Sequence, residues 1–390
     1  MPSESIRGGI EAGGVPAGPR GLLWLVRTNT YILLAVASFF TLIPLVWLIC
    51  ASFKKPGDMW SYTFMPYGEP NDKLVAVKGL PEGQAFLITG AQVAIGNGSE
   101  CAVVLPDAAA PVVVTLTLEN DAWMVRPGPG LQSVAINNET KAEHKLRTGD
   151  VLHAGPYSLR YEEAHTPTMR NFRDLFGDFN FGRNLLNSFF LTATSTSISL
   201  ILASLGGFAL AKYTFKGKKV LMTIMLATMM IPGSVLLAPM YELICKMGMM
   251  NSYLGILVPG AVGAFGMLLF RQAMLGVPDD LLEAARIDGC SEIGIYWRII
   301  MPVVRPMSGA FCLMSFMGGW NSFLWPMIVL QSDGLFTVPI ALSQTIGLTG
   351  DNQYGLLMAG TLLGVLPPAV LFFMLQKEFI AGLTAGAVKG

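Results

Sequence analysis

Glu283-Ala284-Ala285, three residues, Gly289, nine residues, and then Ile299-Ile300-Met301-Pro302 form the most ordered spacing of residue types in this 390-residue chain. The spacing suits contact with another protein rather than bond making. Asp279–Asp288 reads as a short surface helix, with acidic residues in its first turn, where the helix dipole favours them, and Gly289 to stop it. Ala284 and Ala285 leave a low-profile surface for close packing. Nothing suggests a catalytic residue. His144, His153 and His165 read as surface or strand residues, no His/Cys group has zinc-ligand spacing, and no G-x-x-x-x-G-K-[ST] phosphate loop exists. No metal or cofactor is therefore expected in this chain. The other residues with chemical promise lie in apolar surroundings, where polar groups are costly and tend to line a pathway. Asn321 is the best candidate, with Trp320 beside it as a face on which a sugar could stack. Thr192, Thr194, Ser195 and Thr196 are open to that role or to bonding their own helix.

The elements that must position these residues are membrane helices. Hydrophobic residues make up 52% of the chain and charged residues 13%, and the mean hydropathy is +0.53, which excludes a simple soluble enzyme. The net charge of +0 disfavours a nucleic-acid partner. A spanning helix needs roughly 20 apolar residues. Six runs without Asp, Glu, Lys or Arg meet this: Tyr31–Cys50, Leu185–Ala211, Val220–Tyr241, Asn251–Phe270, Pro306–Leu330 and Tyr354–Leu375. The first, behind 30 mostly polar residues and with no small-residue cleavage site after it, reads as a retained helix. With the N-terminus inside, thirteen Lys and Arg fall on the inner segments, against Lys246 alone in the two short outer loops, 242–250 and 331–353. Positive residues resist translocation in short loops, so the chain reads as N-in and C-in.

The fold class is thus an α-helical polytopic membrane protein with six transmembrane helices and an inserted all-β sandwich on the external side. Residues 1–30 form a cytoplasmic N-terminal segment, 31–52 the first transmembrane helix, 53–184 an external region, and 185–390 a core with the remaining five helices and a cytoplasmic loop over 271–306. The external region carries net charge −3. Strands are expected at Ala85–Thr89, Cys101–Leu105, Val112–Leu118, Ala122–Arg126, Ser133–Asn137 and Tyr157–Glu162, between Gly, Pro and Asn. Its single cysteine, Cys101, cannot staple it, so its core must suffice. Pro232, Gly233 and Pro239 suggest a break in the third span, and the run Met222–Met230 reads as adaptable packing.

The loop spacing resembles the E-A-A-x3-G-x9-I-x-L-P pattern of ABC importer permeases, with Met301 where Leu is usual. Residues 52–60 (SFKKPGDMW), Thr168–Phe176, Asn187-Ser188, Trp320–Leu324, Leu357-Met358-Ala359 and the tail Gly382–Gly390 are similar to the maltose class of that family. The resemblance implies a permease subunit of an ATP-driven importer in a prokaryotic cytoplasmic (inner) membrane, handling a carbohydrate or related polyol. It implies a second permease as heterodimer partner, two copies of a cytoplasmic ATPase that carry ATP and Mg, an external solute-binding protein, and the lipid bilayer around the spans. Glu283, Ala284, Ala285 and Gly289 would form the helix coupled to an ATPase, Ile299 and Pro302 would fix its return, and the tail Gly386, Ala387, Val388, Lys389 and Gly390 would reach the same subunit.

The insertion, about 75–163, resembles a forkhead-associated (FHA) module through Ala94–Asp107, Leu146–Leu152 and Tyr157–Tyr161. Phosphothreonine-reading members use an Arg where Asn97 stands and Ser and His within what is here Ala108–Val114, which has neither; Gln132-Ser133 stands in place of their Asn. Without charge-assisted donors, no phosphopeptide binding is expected. Two other classes are an ion-coupled secondary transporter and a membrane-anchored sensor acting through its β domain. The former would bury an ionisable residue in a span, and the six runs carry none; the latter would not need the loop or the tail.

Overall fold

A computed structural model describes residues 20–55, 64, 71–81, 83–108, 110–119, 122–137, 139–164, 166–177, 179–347 and 354–387. The chain divides into two compact units, Met1–Ile49 and Cys50–Gly390. The first is the greater part of helix α1 (Arg20–Ser52), whose apolar side chains, Tyr31, Leu33 and Phe40 among them, stay exposed. A helix apolar on all sides is suited to lipid.

The second unit opens with β1 (Lys73–Lys78), β2 (Ala85–Leu87), β3 (Gln92–Gly96), β4 (Val103–Val104), β5 (Val114–Glu119), β6 (Ala122–Pro127), β7 (Val134–Ile136), β8 (Glu139–Lys141), β9 (His144–Lys145), β10 (Val151–Ala154) and β11 (Tyr157–Glu162). They form two sheets, ordered β2-β1-β11-β10-β7-β8 and β4-β3-β5-β6-β9. Alternation makes the core between them: in β5, Val114 and Leu116 are buried while Thr115 and Thr117 turn outward. Leu74, Ile95, Leu116, Trp123, Leu152 and Leu159 belong to one buried cluster. Antiparallel pairing of β1 with β11, Leu74 opposite Tyr161, brings the two ends of the insertion side by side. A module whose ends meet can interrupt a helical chain without separating the helices it interrupts.

Helix α2 (Arg170–Gly177) follows, and a left-handed Asn180 (φ 48°) turns the chain into α3 (Phe181–Lys212). Then come α4 (Lys218–Met229), α5 (Leu237–Lys246), α6 (Leu254–Gly260), α7 (Ala264–Leu275), α8 (Asp279–Ile287), α9 (Glu292–Ile295), a π turn at Tyr296–Ile300, and α10 (Met301–Val303). The chain continues with α11 (Arg305–Trp320), α12 (Leu324–Val329), α13 (Val338–Gly347) and α14 (Tyr354–Ala387).

Among the described residues three helices are long and apolar enough to cross a membrane: Arg27–Ser52, Phe181–Lys212 and Tyr354–Gly382. Three bent pairs bring the number to six if each is one span. The run Val220–Tyr241 is broken between Met229 and Gly233, bending the chain by 94°, because Pro232 has no N–H to continue the ladder. Asn251–Phe270 breaks after Gly260 and bends by 44°. Pro306–Leu330 is not one helix: α11 ends at Trp320, α12 is separate, and α11 instead pairs across an 82° elbow with Glu292–Val303. Close approach of α3 to α7 rests on Gly206 and Gly207, since a Cβ at Gly207 would lie 2.5 Å from Phe270 Cβ and 2.8 Å from Arg271 N.

Candidate functional site: the loop from Arg271 to Arg305

Helix α8 carries Asp279 and Asp280 in its first turn and ends in two nested bonds, from Cys290 N–H to the Ala285 carbonyl (2.9 Å) and from Gly289 N–H to the Arg286 carbonyl (3.0 Å). This ending needs a left-handed residue, and Gly289 has φ 81°. Leu282 and Ala285 face inward and pack with Phe270, Met274, Ile295, Tyr296 and Ile300. Glu283 and Ala284 are exposed. Ile287 is 86% exposed and Ile293 71%, so the outer side of the loop is partly apolar.

Polar ties fix this loop to the end of α3. The Lys212 ammonium, its side chain only 4% exposed, donates to the Val277 carbonyl and to Asp279 (2.6 Å). Glu292 accepts from Arg286 Nε (2.8 Å) and from the Tyr213 hydroxyl. Deeper, the hydroxyls of Ser204 and Tyr296 pair at 2.7 Å. The electrostatics follow: the Arg286 hydrogen bond, then that from Tyr213, holds the Glu292 carboxyl below its usual range, and Lys212 does the same for Asp279. Ser291 accepts from Gly294 N–H (3.1 Å) to start α9.

Of the two positions expected to fix the return, Ile299 is half-buried against the same cluster and Pro302 is exposed; Ile300, at 0% exposure, is the deeper anchor. Pro302 offers no N–H to the carbonyl of Arg298, and the ladder widens into the π turn just before it. The site therefore holds α8 as a rigid projection joined to α3, α7 and α11. Sequence reading missed Lys212, Tyr213, Glu292 and Tyr296. Their ties across the loop span 65 to 92 residues, and no local spacing signals them; the Arg286–Glu292 pair alone is local.

Trp320 and Asn321 stand differently from the expected pathway pair. Trp320 is 4% exposed, stacks on Phe316 at 5.7 Å, and donates from Nε1 to the Gly364 carbonyl (2.9 Å), so its faces are occupied by protein. Asn321 is exposed at the end of α11, and its carboxamide bonds the Met317 carbonyl (2.9 Å). Of the hydroxyl group on α3, Thr196 Oγ1 is buried without a partner among the described residues, while Ser199, not singled out from the sequence, donates to Gly260 and Ala261 at the break before α7. In the tail, α14 runs through Gly386 and Ala387, and Val388, Lys389 and Gly390 lie outside the described residues.

Residues 195–383 match the family model described as the binding-protein-dependent transport system inner membrane component. The arabinooligosaccharides transport system permease protein AraQ of Bacillus subtilis is 41% identical over 204 residues, which cover 52% of this chain and 72% of that protein. This chain belongs to that permease family. A second relative, the lactose transport system permease protein LacG of Rhizobium radiobacter, is 34% identical over 203 residues, covering 52% of this chain and 74% of that one. A crystal structure of a bacterial ABC transporter involved in the import of the acidic polysaccharide alginate shares the fold, with a TM-score of 0.60 at 16% identity, over 94% of this chain and 100% of that one. In this permease the loop just described lies within the matched region, and the inserted sandwich lies before residue 195, outside it.

Proposed function

We propose that this permease subunit forms half of the translocation pathway of an ATP-driven ABC importer for a carbohydrate or related polyol. The carrying observation is α8: a short helix with acidic residues in its first turn and a closed C-terminal end at Gly289, tied to the end of α3 through Lys212 and Glu292, with Glu283, Ala284 and Ile287 turned outward. A rigid projection of this kind transmits displacement. Two copies of a cytoplasmic ATPase, holding ATP and Mg, would move α8, and the 82° elbow would pass that motion to α11 in a two-state change. A second permease completes the pathway, and an external binding protein delivers the solute. The sugar relatives support the substrate class. In this reading the bent pairs over 218–246 and 254–275 each count as one span and α11 supplies the fifth beyond the elbow, giving six spans with both termini on the cytoplasmic side.

The inserted sandwich then lies outside, as an FHA-like scaffold without phosphopeptide recognition. Asn97, where a guanidinium would be needed, spends its carboxamide on the Ala108 carbonyl (3.0 Å) of the neighbouring loop. The test is affinity copurification of the tagged full chain in mild detergent, with and without Glu283→Ala plus Gly289→Pro. An ATPase and a second permease should accompany the wild type, with ATP hydrolysis lost or uncoupled in the variant. A chain recovered alone, indifferent to the substitutions, would overturn the reading and leave the β domain as the working part.

A further inference from the structure

At the N-terminal end of α3 a cavity of about 460 Å³ opens between the α2–α3 turn, the turn at Asp333–Leu335 and α13. Its size falls within the range of small-molecule sites. Six polar side chains line it: Asn180, Arg183, Asn184, Asp333, Gln344 and Thr345, the last of which spends its hydroxyl on the Ala341 carbonyl (3.0 Å). Asn184 is the decisive one. It is only 5% exposed, yet its carboxamide has no hydrogen-bond partner among the described residues. Its amide atoms open on the cavity rather than being sealed in, so donor and acceptor both stay available to an occupant. Asn180, Arg183 and Gln344 likewise make no side-chain hydrogen bond among the described residues, and Arg183 and Asp333 share the cavity without forming an ion pair.

The cavity is kept open by parts that do have partners. Asn187 donates to the carbonyls of Gly334 and Phe336 (3.0 Å each), and Ser188 accepts from Val338 N–H (2.7 Å), which clamps the 334–338 segment to α3. Gly334 makes room for the guanidinium: a Cβ there would lie 2.9 Å from Arg183 Nη2. Phe179, Phe181 and Phe336 supply apolar walls.

We infer that this cavity binds one or two sugar units of a neutral glycoside, through Asn180, Arg183, Asn184, Asp333 and Gln344. Three carboxamides each offer a donor beside an acceptor, the guanidinium offers paired donors and the carboxylate paired acceptors, which together match vicinal hydroxyls. Phenyl walls suit the C–H faces of a sugar ring. An anion such as a phosphate fits less well, because Asp333 would face it. The inference rests on the carbohydrate-importer reading and adds a location: the end of α3 that adjoins α2 and the inserted domain, where a solute would enter before reaching the spans.

Saturation-transfer NMR on the full chain, copurified with its partners but without binding protein and placed in lipid nanodiscs, tests this with lactose, maltose and arabinobiose as probes. Saturation should reach at least one probe, and Asn184→Leu and Gln344→Leu should each weaken its binding at least tenfold. Gln344 is exposed, so Gln344→Leu keeps the test valid if Asn184→Leu fails to fold. No transfer to any probe in the assembled wild type, or equal transfer in Gln344→Leu, would overturn the inference. Failure of the underlying reading looks different, since the ATPase would then be missing from the wild-type preparation.

Discussion

Glu292 shows how much of the loop rests on single side chains. Its carboxyl is held below the ordinary value of 4.5 by the hydrogen bond from Arg286 and then that from Tyr213. A carboxylate depressed in the folded state contributes stability above its unfolded value and loses it as pH falls through the folded one. The tie is therefore complete above pH 4.5 and weakens below it. Both partners are about half exposed, so the contribution is small and screened by salt. Hydrogen exchange of the amides over 285–294, corrected for intrinsic rates, should rise as pH falls below 4.5, and Glu292→Gln should remove that dependence. Unchanged protection in acid would show that the tie does not hold the loop. Gly289 makes a sharper prediction. With φ at 81°, Gly289→Ala should cost about 1 kcal/mol in thermal unfolding, because a Cβ disfavours the left-handed region, and it should fray the end of α8. Equal stability would mean that the helix end relaxes without penalty.

Among the elements, legibility follows the range of the interaction that forms each one. Helix α8 is readable because its start and stop are local: acidic residues at one end, glycine at the other. The break in the third span is readable because Pro232 is in the sequence. The breaks after Gly260 and Trp320 are harder to read, because apolar composition continues across them, although Pro259, Gly260 and the extended Gly263 stand at the first and Gly318-Gly319 just before the second. In the insertion, the longer strands β5, β6 and β11 announce themselves by alternation. Strands β4 and β9, two residues each, exist only because β3 and β6 lie beside them. Polar lining residues such as Asn184 and Gln344 are invisible for the same reason, since 159 intervening positions separate them in the chain. The contact of α3 with α7 belongs to this scale. A Cβ at Gly207 meets the backbone at Arg271 N and the Met267 carbonyl (3.0 Å), which cannot swing away as a side-chain tip can. Gly207→Ala should force the helices apart, with a loss of about 1–3 kcal/mol by overpacking and a lower unfolding temperature in detergent. A variant as stable as the wild type would show that the two helices slide to accommodate the methyl.

Across the unit from Cys50 onward, α2 is the point where the inserted domain is welded to the helical part. Asn171 donates to the carbonyls of Ser52 (2.9 Å) and Lys54 (2.8 Å), and Thr168 N–H bonds the Phe53 carbonyl (2.8 Å), so the chain entering the insertion lies against the chain leaving it. Asp72 accepts from Trp123 Nε1 and from Ala164 N–H (2.6 Å each) and pairs with Lys55 (3.6 Å), which joins the domain core to both connections. Arg170, at the start of α2, reaches Glu163 (3.6 Å) and Asp174 (3.6 Å) with side chains 10%, 8% and 29% exposed. Removing the cation leaves Glu163 buried near Asp174 with less to offset its charge, a loss of about 2–3 kcal/mol for a pair this well covered. Arg170→Met should therefore lower the unfolding temperature and raise protease cleavage around residues 163–170, while Glu163→Gln in the same chain should restore part of both, because a neutral side chain at 163 needs less to offset it. A domain that instead kept full protection in Arg170→Met would owe its attachment to Asp72 and Asn171, and Lys55→Met would then produce the loosening that Arg170→Met had not.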